Sequence, residues 1–407
     1  MRIAAVAAVL LLAADGARAQ DYDGYFSSLF MVMPDIGGAE DRQHVAELRT
    51  RLFAEGLYDP GERVHVRAGV FVDTLVGHRG ALDPDAPAAA AILRPADLFL
   101  EYRGDRIVLL AGMSRVVWGR LDEFQPTDVV NPIDLSRFLL EGRSEARLPV
   151  AMVRGRIFLP RGSTIEGILV PVFRAGRFDQ LEEESSPFRL APPGIRERHE
   201  PAVAWRNVQA GGRFSSTVAR VDWSVTAWRG FEAFPTYMPV ALPPDPLALV
   251  VPTFIEFFPR FTMVGADFET VRGAWGLRGE AAWFDGVTPR AFEGGVGADR
   301  RAGDYRVSVN AVLSRADDTD VTLVGWAERS FTNDTRRARL LAVVDPADDT
   351  AFVRGTGAIN LRENLWLELS AGWFTGEARP STVPAGVDVL GLLSRRDFVY
   401  ALLKFHF

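Results

Sequence analysis

Few residues in this chain are placed to break or make a covalent bond. The five histidines, His44, His65, His78, His199 and His406, include no pair at metal-ligand spacing, and no G-x-S-x-G turn presents a serine nucleophile. Cysteine is absent, which excludes thiolate chemistry, cysteine metal sites and a disulfide framework. His65 stands among charged neighbours, yet nothing local supplies it with a serine partner. What the sequence does offer is charge at every second position. Arg49 and Arg51, Arg67, Arg154 and Arg156, Arg213, Arg278 and Arg306 recur in this way, and so do Glu166, Asp222, Glu280 and Glu368. Placed on the inner side of a closed sheet, such residues line a lumen rather than an active site. The two signs nearly balance, so no single-sign ring marks a strongly ion-selective pore. Most of these charges are expected to pair across strands and stiffen the wall, leaving a few unpaired arginines at a constriction to favour anionic solutes.

The elements that must carry these charges are strands. "HVRAGVFVD" sets Val64, Val66, Ala68, Val70 and Val72 against His65, Arg67 and Asp73. "ARVDWSVTAW", "GAWGLRGEAAW", "YRVSVNAVL" and "NLWLELSAGW" alternate in the same way. Each run is about ten residues, the length of a strand tilted across a bilayer. "VAELRTRLFAE" has helical propensity but alternates too, and the "YDPG" turn after it favours a hairpin over an amphipathic helix.

Connections alternate as well. Short joins are expected at 58–62, 103–106, 160–163, 215–218, 269–272, 301–304 and 361–364, and long ones at 77–94, 119–147, 176–202, 231–258 and 376–395. Short turns at one end and long loops at the other define a transmembrane antiparallel up-and-down β-barrel. The count is about 16–18 strands, with 25–33, 336–345 and 351–361 the weakest segments. An even count puts both termini at the periplasmic end.

The last residues, "FVYALLKFHF", place Val399, Leu403, Phe405 and Phe407 at alternate positions up to the final atom. Lipid cannot satisfy a free strand edge, so this strand is expected to close the barrel against the first one. The same pattern resembles the C-terminal signal read by the outer-membrane assembly machinery. At the other end, "MRIAAVAAVLLLAADGARAQ" has the charged start, apolar run and Ala-x-Ala site of a secretory signal peptide over 1–19. Residues 20–407 then form one barrel domain, since no linker or charge block divides them. A formal charge of −7 argues against a nucleic-acid partner. Outer-membrane lipid and lipopolysaccharide are the expected surroundings, and no cofactor is called for.

Three connections stand out. "SRVVWGRLDEFQPTDVVNPIDLSRFLLEG" (114–142) leaves a strand at Trp118-Gly119 and ends in a helix-capable stretch that Asp134 can cap. It either folds back into the lumen or packs on the rim. "FEAFPTYMPVALPPDPLALVVPTFIEFF" is unusually apolar for an external loop: a lid, a lipid contact or a landing place for a hydrophobic solute. "ALDPDAP", "DQLEEESS" and "DPADDT" are acidic without the spacing of a calcium loop and read as solvated surface.

Trp118-Gly119 followed by Asn131-Pro132-x-Asp134 and "LPVAMVRGRIFL" resembles a family of Gram-negative outer-membrane barrels of unassigned function, distantly similar to alginate-export and capsule-surface porins. The resemblance covers about 105–175. It implies a large monomeric barrel that exports or admits a bulky or greasy molecule, with Arg115, Trp118, Asp128, Asn131 and Asp134 shaping the channel mouth. The expected function is a porin-like or export channel and not an enzyme. The alternatives are a structural or adhesive barrel with a plugged lumen and, behind it, an outer-membrane hydrolase.

Overall fold

The computed structural model describes residues 21–34, 43–79, 88–191, 194–240, 253–286, 292–315, 319–376 and 389–407. The expected leader (1–19), the acidic 81–87 and the apolar middle of the 231–258 loop lie outside the described residues.

The strands are β1 (Asp21–Val32), β2 (His44–Gly61), β3 (Val64–Arg79), β4 (Ala88–Arg103), β5 (Ile107–Ser114), β6 (Val150–Phe158), β7 (Thr164–Val170), β8 (Ile195–His199), β9 (Gln209–Val218), β10 (Val221–Phe231) and β11 (Thr236–Pro239). They continue with β12 (Thr253–Phe257), β13 (Arg260–Arg272), β14 (Trp275–Gly286), β15 (Phe292–Ala302), β16 (Tyr305–Arg315), β17 (Thr319–Phe331), β18 (Arg336–Asp345), β19 (Thr350–Arg362), β20 (Leu365–Thr375) and β21 (Phe398–His406). Eighteen of them form one antiparallel sheet in chain order, and β8, β11 and β12 form a separate three-stranded sheet among the loops. The large sheet closes where β21 pairs with β1, from Tyr25↔His406 to Val32↔Val399. Gly24 and Phe407 exchange backbone hydrogen bonds of 3.2 and 3.0 Å, so the seam runs to the last residue.

The three weakest sequence segments are all strands of the barrel, β1, β18 and β19. The barrel strands depart from the expected ten residues, ranging from 7 in β7 to 18 in β2. The "YDPG" segment does not turn; β2 runs through it by a register shift between Tyr58 and Gly61 and turns after it. The join expected at 215–218 lies instead between Val218 and Val221, where Ala219 and Arg220 take φ of 50° and 69°. No glycine or asparagine marks that turn, which is why the pattern placed it early. The join expected at 269–272 likewise falls just beyond β13, at Gly273 with φ 63°.

The alternation sorts the two faces as expected. Outward side chains such as Leu48, Leu52, Val225, Trp283, Val309, Leu369 and Trp373 are exposed, and so are Val399, Leu403, Phe405 and Phe407. In water each such apolar group would forfeit about 1.5–3 kcal/mol relative to burial, whereas a hydrocarbon surround removes the cost. Arg300 over Trp275 and Arg329 over Tyr305 stand on this outer face near the short turns, ring and cation together, as at a bilayer interface.

Candidate functional site: a segment folded into the lumen

Between β5 and β6 the chain leaves the wall at residue 115 and returns at 149, and its course lies inside the barrel. Its first residues are held at their own end of the wall. Arg115 pairs with Asp97 of β4 at 2.8 Å. Asn131 accepts from the Val116 amide at 2.8 Å and donates to the carbonyls of Ser114 and Leu148, tying the exit of the segment to its return. Trp118 is buried, donates through Nε1 to Glu166 of β7 at 2.7 Å, and meets Trp228 of β10 edge to face.

From Gly119 the segment crosses the lumen. Glu280 of β14 accepts from the amides of Arg120 (2.8 Å), Leu121 (3.2 Å) and Thr127 (2.6 Å) and from the Thr127 hydroxyl (2.7 Å). Gly119 has φ +89°, and a Cβ there would come within 2.6 Å of the Glu280 carboxylate, so both the turn and the close approach need glycine. The Arg120 side chain reaches Asp267 and Glu269 of β13 at 2.6 and 2.7 Å. Asp122 pairs with Arg278 at 2.8 Å and accepts from Ser308, Asn310 and Trp326 of β16 and β17. Burial pushes the Asp122 carboxyl up, but those hydrogen bonds and the Arg278 charge more than offset it and hold it below the usual range.

The return half contains the expected helix, α1 (Leu135–Glu141), with Asp134 as N-cap accepting from the Arg137 amide, followed by α2 (Arg143–Ala146). Asp128 lies beneath them and pairs with Arg143 at 3.1 Å and Arg147 at 2.7 Å. Leu135, Leu139 and Leu140 of α1 pack with Leu29 and Met31 of β1, Leu341 and Val343 of β18, Phe352 of β19 and Tyr400 of β21. Arg137 reaches Asp73 of β3 at 3.5 Å, and Arg354 and Tyr400 donate to the Leu139 and Leu140 carbonyls. One segment therefore touches walls on every side of the bore.

A second loop, of which 171–191 is described, covers it from the loop end. Asp179 accepts from Arg49 of β2 at 2.5 Å, and Arg49 also binds Glu47. Burial pushes the Asp179 carboxyl up to about 6; Arg49 opposes the shift, while Asp134 and Glu47 add to it. The stretch "DQLEEESS" is thus only partly solvated surface. Glu183 pairs with Arg177 and Arg198, and Glu184 with Arg189 and Arg196.

The inward charges read from the sequence fall into two groups. Arg49, Arg51, Arg154, Glu166, Arg213, Arg278, Glu280 and Glu368 are bound to neighbours: Arg51 to Asp73, Arg154 to Glu166, Arg213 to Asp267, and Glu368 to Tyr400. Towards the short turns, Arg67, Arg156, Asp222 and Arg306 are half-buried or exposed and face a wetter vestibule. Arg115, Trp118, Asp128, Asn131 and Asp134 hold the segment in its course, with Trp118, Asp128, Asn131 and Asp134 themselves buried. Asp122, Arg120, Arg94 and Asp179 are participants the alternation missed. Three of them sit in loops, where no period exists; Arg94, which pairs with Asp73 at 2.9 Å, falls in the long join expected at 77–94, whereas β4 already runs from Ala88. Three of the five histidines are held locally: His44 to Glu47, His65 to Asp59 and His199 to Glu197.

No protein-family model matches the chain, and no curated protein does. Among solved structures, OccAB3 of Acinetobacter baumannii superposes with a TM-score of 0.54 at 9% identity, covering 95% of this chain and 99% of that one. A triple mutant of the Rhodopseudomonas blastica porin gives 0.40 at 12% identity over 96% and 100% of the two chains. A loop-deletion form of OmpT, an outer membrane protein of Vibrio cholerae, gives 0.41 at 8% over 96% and 99%. The likeness to OccAB3 places the fold among large closed porin-type barrels.

Proposed function

We propose that this protein is an outer-membrane channel whose bore is set by the segment 115–149, both termini lying on the periplasmic side. The observation that carries the reading is the course of that segment, through the lumen and bonded to the wall on opposite sides. A wall lined with charge, a wet vestibule at the short-turn end and an inserted segment across the middle support restricted passage rather than free diffusion. The apolar exterior and the closed sheet support the membrane placement. The inner-wall charges are mostly spent on one another, which favours no strong selection by charge sign. His44, His65 and His199 are each bound to one carboxylate, and no enzymatic role is part of this reading.

The density of ties also favours a second state of the same reading, a barrel closed at rest. Both are tested by single-channel current through the refolded chain 20–407 in a planar bilayer, compared with a chain lacking 120–142. A small steady current that rises on deletion supports the constricted channel. Silence before deletion and conductance after it supports the closed state. No current in either form would overturn the channel reading.

A further inference from the structure

The outer wall carries a feature that the lumen does not require. Across six neighbouring strands the outward positions at one level are Leu109, Gly155, Gly167, Gly212, Ala227 and Val264, each paired with the next. With no side chains over its middle, the wall sinks into a depression of about 580 Å³ lined almost wholly by apolar atoms. Arg229 borders it on the side towards the long loops, one outward position above Ala227.

Arg229 has company. Arg260 of β13 stands outward at the same rim, its guanidinium 4.5 Å over the Phe231 ring and donating to the Arg206 carbonyl. Arg206 is itself exposed, and beside it Trp205 is 93% exposed. Among the described residues none of these three guanidiniums makes an ion pair, and Arg229 and Arg260 repel each other. The arginines that hold the inserted segment and line the middle of the lumen, by contrast, mostly pair with carboxylates. Three uncompensated cations and a bare indole at the upper edge of an apolar trough make an amphipathic site on the face turned to lipid.

We infer that this trough holds a phosphorylated lipid of the leaflet facing the long loops, its acyl chain over Gly155, Gly167 and Gly212 and its phosphate among Arg206, Arg229 and Arg260. The inference rests on the membrane placement proposed above but not on conductance. Cationic side chains near a bilayer surface attract anionic head groups, and indole rings settle at that depth. A second copy of the chain is the poorer occupant, because a two-fold contact through this wall would set each arginine cluster against its own image.

The test uses the refolded barrel in detergent micelles, with diphosphoryl lipid A as probe and phosphatidylethanolamine as comparison, read by native mass spectrometry. Two single variants attack the site separately. Arg229→Ala removes charge. Gly167→Leu fills the trough, at a position where an added Cβ meets nothing within 4 Å and the fold is undisturbed. The expected result is a one-to-one lipid A adduct preferred over phosphatidylethanolamine, weakened about fivefold by Arg229→Ala and weakened also by Gly167→Leu. Equal retention of both lipids, an adduct unchanged in both variants, or an oligomer that buries this wall would overturn it. Conductance measured on the same preparation separates the two proposals: a conducting barrel without lipid preference sinks the lipid site alone, and a barrel that does not insert into vesicles sinks both.

Discussion

Replacing Glu280 with alanine should release the inserted segment while leaving the barrel standing. The carboxylate is 4% exposed and takes four hydrogen bonds from the segment, three from amides and one from a hydroxyl. A hydrogen bond to a charged acceptor contributes about 1.5–3 kcal/mol, and a buried donor left unmatched costs about 1–3 kcal/mol. Water from the vestibule recovers part of that loss, so about 3 kcal/mol is a conservative net figure, equivalent to on the order of a hundredfold shift towards the released segment. Glu280 lies in β14 and forms no backbone-independent tie between strands, so the wall itself keeps its ladder. Single-channel recording should show larger or more frequent openings, and a protease added from the loop side should cut within 119–128. Glu280→Gln keeps one acceptor oxygen but turns an amide N–H towards donor groups, so its effect should be intermediate. If both variants conduct and resist protease as the parent does, the segment is held by something other than this carboxylate, and the account of the bore fails.

Three further outcomes follow from the same geometry. Gly119→Ala puts a Cβ 2.6 Å from the Glu280 carboxylate at φ +89°, with a backbone cost of about 1–3 kcal/mol; current noise should rise as for Glu280→Gln, and unchanged traces would contradict the close approach. Arg49→Ala leaves Glu47 and Asp179 buried without their cation, a loss of about 3–5 kcal/mol, which should appear as a lower thermal unfolding temperature. Asp179 titrates near 6 in the folded protein because burial and the Asp134 and Glu47 carboxylates outweigh Arg49. Its folded value is raised, so the stability it contributes is complete below about pH 4 and is lost as pH rises through about 6. Corrected for the intrinsic pH dependence of exchange, the amides of 171–191 should be better protected at pH 4 than at pH 7, and Asp179→Asn should flatten that difference.

Period-two alternation carried the fold, because a strand buried against lipid on one face and a charged lumen on the other cannot hide its register. It placed Arg49, Arg51, Arg278 and Glu280 inward without any knowledge of their partners. It failed where the backbone departs from the ladder: at the shift between Tyr58 and Gly61, and at the Ala219–Arg220 turn whose positive φ values no glycine announces. The inserted segment was legible as a helix with Asp134 as cap and as a candidate for either the lumen or the rim, but the sequence did not decide between the two. The reason is that its ties are single charges, such as Asp122 with Arg278, whose partners lie far away in the chain. Local sequence holds no trace of such a contact.

The ties are also unlike on the two sides, and that difference says how the bore would widen. Residues 119–128 meet β13, β14, β16 and β17 through hydrogen bonds and ion pairs, which water can replace at a net cost of about 0.5–1.5 kcal/mol for each ordinary bond. They bury one large apolar side chain, Leu121, against Gly295 and Gly297 of β15, whereas α1 buries three leucines. The helix α1 meets β1, β18, β19 and β21 through Leu135, Leu139 and Leu140, and pulling it away would expose leucines at about 1.5–3 kcal/mol apiece. Any opening therefore begins at 119–128, with α1 left on its wall as the hinge side. A spin label at Pro126 should become mobile when the channel opens while one at Glu141 of α1 stays still; the reverse order would mean that the helix, and not the carboxylate anchor, is the moving part.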